Sequence, residues 1–320
     1  MDLTGWTPVR VRFGEGGAPV VDWCFTAGVP FADPTFDQTV ERCFCHPFRL
    51  LFRWETGMDD VRRFVADHPG LPPAGFVFHL SRCGSTLVSQ MLAAVPTHLV
   101  VAEAGPLDSV LRVHADPGER ATWLRWMVGA LGQPRDERQR RLFVKFDAWS
   151  TLDLDVVRLA FPDVPWMFLY RDPVEVLVSH ARRPGAHLIP GAVPGLAPSG
   201  LREEPGSSLL DHGVRVLAAI GQAAVDHRHD PGVTFVEYGQ LPGFVVEELA
   251  EAWSLTLGPD DVARMVDVAR QNAKNPVLAH EADGPAKQAA ATPDLRAAAE
   301  RWLAPVYDRL EAARKVIVAG

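Results

Sequence analysis

The stretch FVFHLSRCGSTLVSQML, residues 76–92, places an apolar run directly before a short polar loop and an amphipathic segment. Phe76–Leu80 has the length and composition of a buried strand, and the residues after Ser85 have helical spacing. Gly84 allows the backbone to approach an anion closely, and the free N–H groups at a helix start attract one. The stretch therefore predicts a phosphate-binding loop, with a simple N-cap at Ser85 as the alternative.

The loop lacks the lysine of a nucleotide kinase or ATPase. Their loops read Gly-x-x-x-x-Gly-Lys-Ser/Thr, whereas Gly84 is followed directly by Ser85 and Thr86. No lysine is therefore placed to hold a γ-phosphate, and Arg82 supplies the formal charge. We also find no strand ending in an aspartate that is suited to magnesium.

Short apolar runs alternate with helically spaced segments along the rest of the chain. Strands that are apolar on both sides and separated by helices indicate a parallel sheet covered on both faces. We therefore predict a doubly wound α/β fold with about five strands and with ligands at their carboxyl ends. The predicted strands are Phe76–Leu80, Leu99–Ala102, Leu142–Phe146, Trp166–Tyr170 and Val233–Tyr238, and the helices are Leu87–Val95, Leu107–Val113, Arg120–Leu131, Thr151–Phe161, Val174–Arg182 and Leu209–His227.

Two regions fall outside this alternation. Residues 1–70 contain a predicted hairpin, and we interpret them as an N-terminal extension packed on a main domain of residues 71–320. Residues 184–206 are rich in Pro and Gly, and so long a loop favours a lid over the substrate site, or a tolerated insertion. After the last strand we expect helix to about residue 272, irregular chain to Thr292 and helix to the end.

Composition excludes several classes of protein. The chain has 320 residues, 47% of them hydrophobic, so it can bury a full core. Its net charge of −8 argues against nucleic-acid binding. Four cysteines make no disulfide framework, and Cys43, Cys45 and His46 lack a second ligand pair for zinc. No apolar run approaches the roughly 20 residues of a membrane span, and no signal segment is visible, so we expect a cytoplasmic protein.

A second polar motif follows another predicted strand, in WMFLYRDPVEVLVSHARR, residues 166–183. Arg171 and Asp172 come directly after the strand, and Pro173 suits the first turn of a helix. Arg171 and Ser179, about two helical turns apart, can hold one phosphate by charge and by hydroxyl. A salt-bridged turn is the alternative for this motif taken alone.

Together the two segments resemble the PAPS-dependent sulfotransferase family. SRCGST at 81–86 is similar to that family's loop for the 5′-phosphosulfate of 3′-phosphoadenylyl sulfate (PAPS), and RDPVEVLVS at 171–179 to its 3′-phosphate motif. TFVEYGQL at 234–241 is similar to a later strand followed by Tyr-Glu-Asp-Leu, although Gly239 and Gln240 depart from it. The resemblance covers about residues 74–258, and it implies a donor site formed by Arg82, Cys83, Gly84, Ser85, Thr86, Arg171 and Ser179.

The resemblance also implies an activity. A sulfuryl group would pass from PAPS to a hydroxyl or amine acceptor without a metal, and adenosine 3′,5′-bisphosphate would be the product. The acceptor would be an intracellular small molecule, a lipid or a biosynthetic intermediate. An ATP-dependent phosphotransferase and a non-catalytic, nucleotide-responsive binding protein are the alternatives.

Glu103 and Asp147 are the candidates for the catalytic base. Glu103 ends the run HLVVA, and its interval from the loop arginine is similar to that in tyrosylprotein sulfotransferases, where this glutamate is the base. Asp147 stands where cytosolic small-molecule sulfotransferases have the histidine of Lys-x-His. Lys145 ends its strand and would face the bridging oxygen of the phosphosulfate. Arg82 is the third predicted catalytic residue, and with Lys145 and the helix N-terminus it would stabilise charge on the sulfuryl group and the departing phosphate. His79 and His180 are weaker candidates for the base, and we interpret them as packed or structural.

Relatives in this family fold a basic C-terminal loop over the donor. Lys274, Lys287 and Arg296 lie in the corresponding irregular segment. The sequence does not choose among these three residues, and it does not determine the oligomeric state.

Overall fold

A computed structural model describes residues 2–13, 18–196, 208–272, 275–279 and 283–319. The strands are β1 (Trp6–Phe13), β2 (Pro19–Phe25), β3 (Arg53–Gly57), β4 (Pro73–His79), β5 (His98–Ala102), β6 (Arg141–Lys145), β7 (Trp166–Tyr170), β8 (Val233–Glu237), β9 (Gln271–Asn272) and β10 (Asn275–Ala279). The helices are α1 (Phe36–Phe44), α2 (Pro47–Leu51), α3 (Met58–Asp67), α4 (Ser85–Ala93), α5 (Gly105–Arg112), α6 (Pro117–Leu131), α7 (Leu154–Ala160), α8 (Pro173–Arg182), α9 (Leu209–Asp226), α10 (Gly243–Glu247), α11 (Leu249–Ala252), α12 (Pro259–Ala269), α13 (Gly284–Ala290), α14 (Pro293–Ala298) and α15 (Ala304–Ala319).

The central sheet confirms the predicted fold class. Five parallel strands are hydrogen-bonded in the order β5-β6-β4-β7-β8. All five are strands that the apolar runs predict, with ends shifted by three residues at most. Because β4 is central and its neighbours come later in the chain, the connections wind both ways from it, and the fold is a doubly wound α/β fold.

The sheet is apolar on both faces because alternate side chains of each strand point to opposite sides. In β4, Phe76 and Phe78 belong to one buried cluster, whereas Val77 belongs to the other. Buried residues of α5 to α9 and α15 line the first cluster, and those of α4 and α10 to α12 line the second. This double burial explains why the strands are continuous apolar runs in the sequence.

The N-terminal part forms a sheet of its own. The predicted hairpin is present as β1 and β2, which pair antiparallel, and β3 joins it beside β2. The sequence pattern did not predict β3, whose residues Arg53 and Glu55 are exposed. Trp23 of β2 and Phe64 of α3 belong to the same buried cluster as Phe76. The division into an extension and a main domain stays a prediction.

The C-terminal part departs from its predicted course at two points. Strands β9 and β10 pair antiparallel, although we expected helix to about residue 272 and irregular chain after it. Helix α13 (Gly284–Ala290) also occupies chain that we expected to be irregular, and Pro285 lies in its first turn, a position that suits proline. Of the predicted lid, residues 184–196 are described and contain a 3₁₀ turn, Ala186–Leu188. Residues 197–206 of the lid lie outside the described residues, as does Lys274.

Candidate active site

Polar groups follow four neighbouring strands at the edge where the parallel strands end. Glu103 follows β5, Lys145 ends β6, the loop 80–84 follows β4, and Arg171 follows β7. Since the sheet order is β5-β6-β4-β7, the four lie in this order along one edge. The Glu103 N–H donates to the Lys145 carbonyl at 2.7 Å, which keeps the first two together. The fold thus brings groups from residues 80–171 together along one edge of the sheet.

The loop after β4 passes through left-handed backbone conformations before α4 begins. The φ angle is 77° at Ser81, 54° at Arg82 and 89° at Gly84. A non-glycine residue held there costs about 1–3 kcal/mol, and such strain concentrates at functional sites. No side chain caps the N-terminus of α4, so its first N–H groups and the helix dipole are available to an anion.

The loop side chains point in different directions. Arg82 Nη2 donates to the Arg183 carbonyl at 2.7 Å, which directs this guanidinium toward the end of α8. The Cys83 thiol is buried against β7, where Sγ lies 3.3 Å from the Leu169 carbonyl, and burial raises its pKa to about 12. Cys83 can therefore serve a ligand through its N–H but not as a thiolate. Ser85 is buried and Thr86 half-buried in the first turn of α4.

A buried ion pair stands beside the loop. Lys145 Nζ lies 2.5 Å from Glu103 Oε1, and His79 Nε2 lies 3.5 Å from the same oxygen. Lys145 is 1% exposed, whereas the Glu103 side chain keeps 25% of its surface exposed. His79 Nδ1 accepts a hydrogen bond from the Ser81 N–H at 3.1 Å, which assigns the ring proton to Nε2, the side of Glu103. The Glu103 carboxylate is therefore partly exposed, and Lys145 and His79 lie on its buried side.

The two candidate bases differ in protonation. Burial raises the pKa of Glu103, but the Lys145 ammonium and His79 outweigh this effect and hold it well below its usual value. Burial and the charges of Glu103 and Asp108 raise the pKa of Asp147 well above its usual value. At neutral pH Glu103 is ionised, whereas Asp147 is held toward its neutral form. Of the two, Glu103 is the carboxylate able to accept a proton.

Arg171 is buried among acceptors of opposite charge. Its Nη2 lies 2.6 Å from Glu175 Oε2 and 2.5 Å from Asp283 Oδ1, and its guanidinium lies 3.8 Å from the centre of the Tyr238 ring. Ser179 is half-buried two turns further along α8. The Asp283 carboxylate therefore contacts the guanidinium that the resemblance assigns to the 3′-phosphate.

One of the three candidate C-terminal cations lies near Arg171. Lys287 Nζ is 2.8 Å from Asp283 Oδ2, so one carboxylate joins Lys287 to Arg171. Arg296 instead donates to the Gln288 carbonyl on α13. Of the two described candidates, Lys287 is the one that shares an anionic partner, the Asp283 carboxylate, with Arg171.

Tyr238 joins the two motifs. Besides contacting Arg171, its ring lies beside Gly84, where an added Cβ would be 3.0 Å from Tyr238 Cδ2 and 2.9 Å from Leu241 Cδ1. The close approach and the positive φ together restrict this position to glycine. Sequence reasoning used Tyr238 as part of a motif without a role, although an aromatic residue directly after a strand could have indicated one.

Sequence reasoning did not single out His187. It lies in the 3₁₀ turn of the lid segment, is 3% exposed, and packs its ring 5.1 Å from that of Trp149. Neither of its ring nitrogens has a hydrogen-bond partner among the described residues. Burial, with the charges of His79 and Arg82, lowers its pKa to about 4. His187 is therefore a neutral, unpaired imidazole on the Glu103 side of the site.

We expect His187→Phe to raise the melting temperature by about 2–6 °C, because it removes two buried nitrogens without partners. The gain should increase with acidity. An imidazole whose pKa is lowered from 6.5 to about 4 binds more protons when unfolded, so the parent loses stability as the pH falls between these values. Scanning calorimetry at about pH 7.5 and about pH 5 measures both effects.

His98 provides the matched control. Burial lowers its pKa to about 4 as well, but its Nδ1 lies 3.0 Å from the Leu92 carbonyl. His98→Phe should therefore lower the melting temperature at about pH 7.5, since the carbonyl loses its partner. A decrease of similar size for His187→Phe would show that His187 has a structural hydrogen bond.

Solved structures similar to this chain include three sulfotransferases or sulfotransferase domains. No family model matches the chain, and no curated protein matches its sequence. A sulfotransferase domain of the Synechococcus PCC 7002 olefin synthase is 16% identical with a TM-score of 0.43, over 73% of this chain and 95% of that one. The sulfotransferase domain of the curacin biosynthetic pathway is 16% identical with a TM-score of 0.43, over 78% and 98%.

A third similar structure is a sulfotransferase of Mycobacterium tuberculosis H37Rv. It is 16% identical with a TM-score of 0.42, over 65% of this chain and 75% of that one. Among the described residues, no helix combines the length and the apolar character that crossing a membrane requires.

Proposed function

We propose that the protein is a sulfotransferase that moves a sulfuryl group from PAPS to a hydroxyl or amine of a small acceptor. The observation that carries the proposal is the order of groups along the sheet edge: Glu103, Lys145, the loop 80–84 and Arg171. In the proposed reaction Glu103 is the base and Lys145 is the cation beside the leaving group. The loop 80–84 binds the first phosphate, and Arg171 binds the second. A donor with a 5′-phosphosulfate and a 3′-phosphate can lie along this row.

The donor explains the composition of the loop. Its 5′-phosphate is the last phosphate of the nucleotide, so no lysine is needed beyond the loop for a γ-phosphate. The N–H groups of α4 bind the 5′-phosphate, and Ser85 and Thr86 add hydroxyl groups. Arg171 binds the 3′-phosphate by a charge-assisted hydrogen bond, which distinguishes this donor from ordinary adenine nucleotides.

The transfer step is a direct in-line displacement. Glu103 accepts the acceptor's proton while the acceptor oxygen or nitrogen forms a bond to sulfur. The bond between sulfur and the bridging oxygen breaks, and that oxygen leaves as part of adenosine 3′,5′-bisphosphate. Lys145 and the N-terminus of α4 stabilise the negative charge that develops on the leaving phosphate.

Before the donor binds, Lys145 has two opposing effects on Glu103. Its contact with Glu103 keeps that carboxylate ionised but also lowers its basicity. When the donor binds, the bridging oxygen becomes a second acceptor for the ammonium. As Lys145 turns toward this oxygen, Glu103 becomes the stronger base. The ion pair thus links the basicity of Glu103 to the presence of the donor.

The acceptor is proposed to enter between Glu103 and the lid segment. The Trp149 ring packs against His187, and the Trp149 Nε1–H donates to Asp108 at 2.6 Å. A neutral imidazole offers one donor and one acceptor, which suits the hydroxyl of a small molecule. His187 would thereby gain the hydrogen bonds that it lacks at rest.

Binding of adenosine 3′,5′-bisphosphate tests the donor without a known acceptor. At a hundredfold excess over its Kd, in the presence of EDTA, it should stabilise the protein by about 2.7 kcal/mol and raise the melting temperature by about 3–5 °C. Adenosine 5′-monophosphate should give a smaller shift at equal concentration. A shift that requires ATP with magnesium would instead identify a phosphotransferase.

Asp283→Asn should tighten the binding of adenosine 3′,5′-bisphosphate by up to about fivefold. Asp283 holds both Arg171 and Lys287 by charge, so its carboxylate competes with the 3′-phosphate. Titration calorimetry at low and high salt measures the gain, which should decrease with salt. Asp294→Asn, on exposed α14, is the control and should leave the affinity unchanged. Weaker binding by Asp283→Asn would show that the carboxylate positions these cations for the ligand.

A further inference from the structure

Large apolar side chains are concentrated on one exposed segment of the N-terminal part. Eight large apolar side chains are highly exposed among the described residues, and five of them lie between residues 48 and 54. Leu51 is 75% exposed and Phe52 is 59% exposed. The rings of Phe48 and Phe52 lie 4.8 Å apart, so two members of this apolar patch pack against each other. Such a patch, here called the 48–54 surface, is typical of a contact site.

The 48–54 surface adjoins the open edge of a sheet. Strand β3 pairs with β2 from Arg53 to Gly57 without a bulge, and no other described strand pairs with it. Edge strands are commonly protected by shortness, charged side chains, a proline or a bulge. β3 is short and carries Arg53 and Glu55, but it has no proline and no bulge, and the proposed pairing puts its two charges to use. Its backbone can therefore hydrogen-bond a further strand.

We propose that β3 pairs antiparallel with β3 of a second copy of this chain, about a two-fold axis at Trp54. Arg53 then lies opposite Glu55 of the second copy, and the reverse pair forms by symmetry. Trp54 lies opposite Trp54. Opposite charges and aromatic pairs across antiparallel strands are stabilising, and a two-fold contact closes at the dimer.

The charges on β3 select both the register and the partner. A two-fold axis at Glu55 would place two carboxylates opposite each other, and one at Arg53 would place two guanidinium groups opposite each other. Only an axis at Trp54 gives two attractive pairs, since opposite charges flank that residue at equal distances. This placement of opposite charges on either side of Trp54 favours a second copy of the chain over an unrelated partner.

The surroundings leave room for the pairing. Glu55 already contacts Arg12 at 2.5 Å, but its side chain is 66% exposed, so a second cation can reach it. Leu51, the last residue of α2, would lie beyond the paired strand, on the side of Gly57 of the second copy. A Cβ added at Gly57 would meet no atom within 4 Å, so a bulky neighbour fits there.

Light scattering coupled to size-exclusion chromatography tests the proposal over a hundredfold range of concentration. The parent should have twice the chain mass at high concentration and approach the single mass on dilution. Arg53→Glu and Glu55→Arg each place like charges in both pairs, so each variant alone should be a monomer. Mixing the two variants creates opposite charges in both pairs again, and the mass should double.

The mixing step also shows that both variants are folded, because unfolded chains would not form the dimer. Arg309→Glu reverses a charge on the exposed side of α15 and should leave the parent's mass unchanged. A parent that stays at the single mass would overturn the proposal and leave the 48–54 surface to another partner. Variants that do not change the mass, or that stay monomeric when mixed, would also overturn it.

Discussion

Replacing Glu103 by glutamine is expected to lower the turnover number of sulfuryl transfer by roughly 10²–10⁴-fold. The amide keeps the size of the side chain and can still accept from Lys145, but it cannot take the acceptor's proton. The affinity for adenosine 3′,5′-bisphosphate should be kept, because Glu103 lies at the far end of the row from Arg171. Transfer of radiolabelled sulfate from PAPS to an acceptor found by screening measures the loss.

Asp147→Asn is the matched control for this experiment. Since burial and neighbouring carboxylates hold Asp147 toward its neutral form, its amide should change turnover much less than the Glu103 amide. The opposite result, with Glu103→Gln active and Asp147→Asn inactive, would move the base to Asp147. It would also mean that donor binding reverses the protonation of the two carboxyl groups.

Arg171→Ala is expected to remove the preference for a 3′-phosphate. A charged hydrogen bond contributes about 1.5–3 kcal/mol, so the affinity for adenosine 3′,5′-bisphosphate should fall by roughly tenfold or more. The affinity for adenosine 5′-monophosphate should change little, because the loop before α4 binds the other phosphate. Titration calorimetry with both nucleotides separates the two sites.

Removing Arg171 also leaves Glu175 and Asp283 without their shared partner. Arg171→Lys is therefore a second variant, which keeps the charge but loses the two-sided contact, and it should show an intermediate preference. Arg125→Ala, on the exposed side of α6, controls for the loss of a cation. A parent that binds both nucleotides equally would exclude Arg171 as a 3′-phosphate site.

Much of the fold could be predicted because the strands of the central sheet are buried on both faces. Burial makes each of them a continuous apolar run, and Trp166–Tyr170 has the predicted bounds. β3 escaped prediction for the opposite reason, since Arg53, Trp54 and Glu55 are exposed and show no alternation. Helix α13 was missed because its short, alanine-rich sequence has no clear apolar face.

The candidate site was predictable as a set of residues but not as an arrangement. Arg82, Glu103, Lys145 and Arg171 each follow or end an apolar run, which places them at the carboxyl edge. Their order along that edge is Glu103, Lys145, Arg82 and Arg171, which differs from their order in the chain. Strand order arises from pairing between distant segments, and no local pattern records it.

The sequence by itself determined the strand, loop and helix around Gly84, the arginine that follows β7 and the alternation that builds the sheet. These features are local, since each depends on residues within a turn or two of one another. The tertiary structure decided which carboxylate is ionised, because the pKa of Glu103 depends on Lys145 and His79 from other strands. It also decided the place of His187, whose burial against Trp149 joins two separate loops. Charge and burial at a site are set by neighbours in space, and folding alone brings those neighbours together.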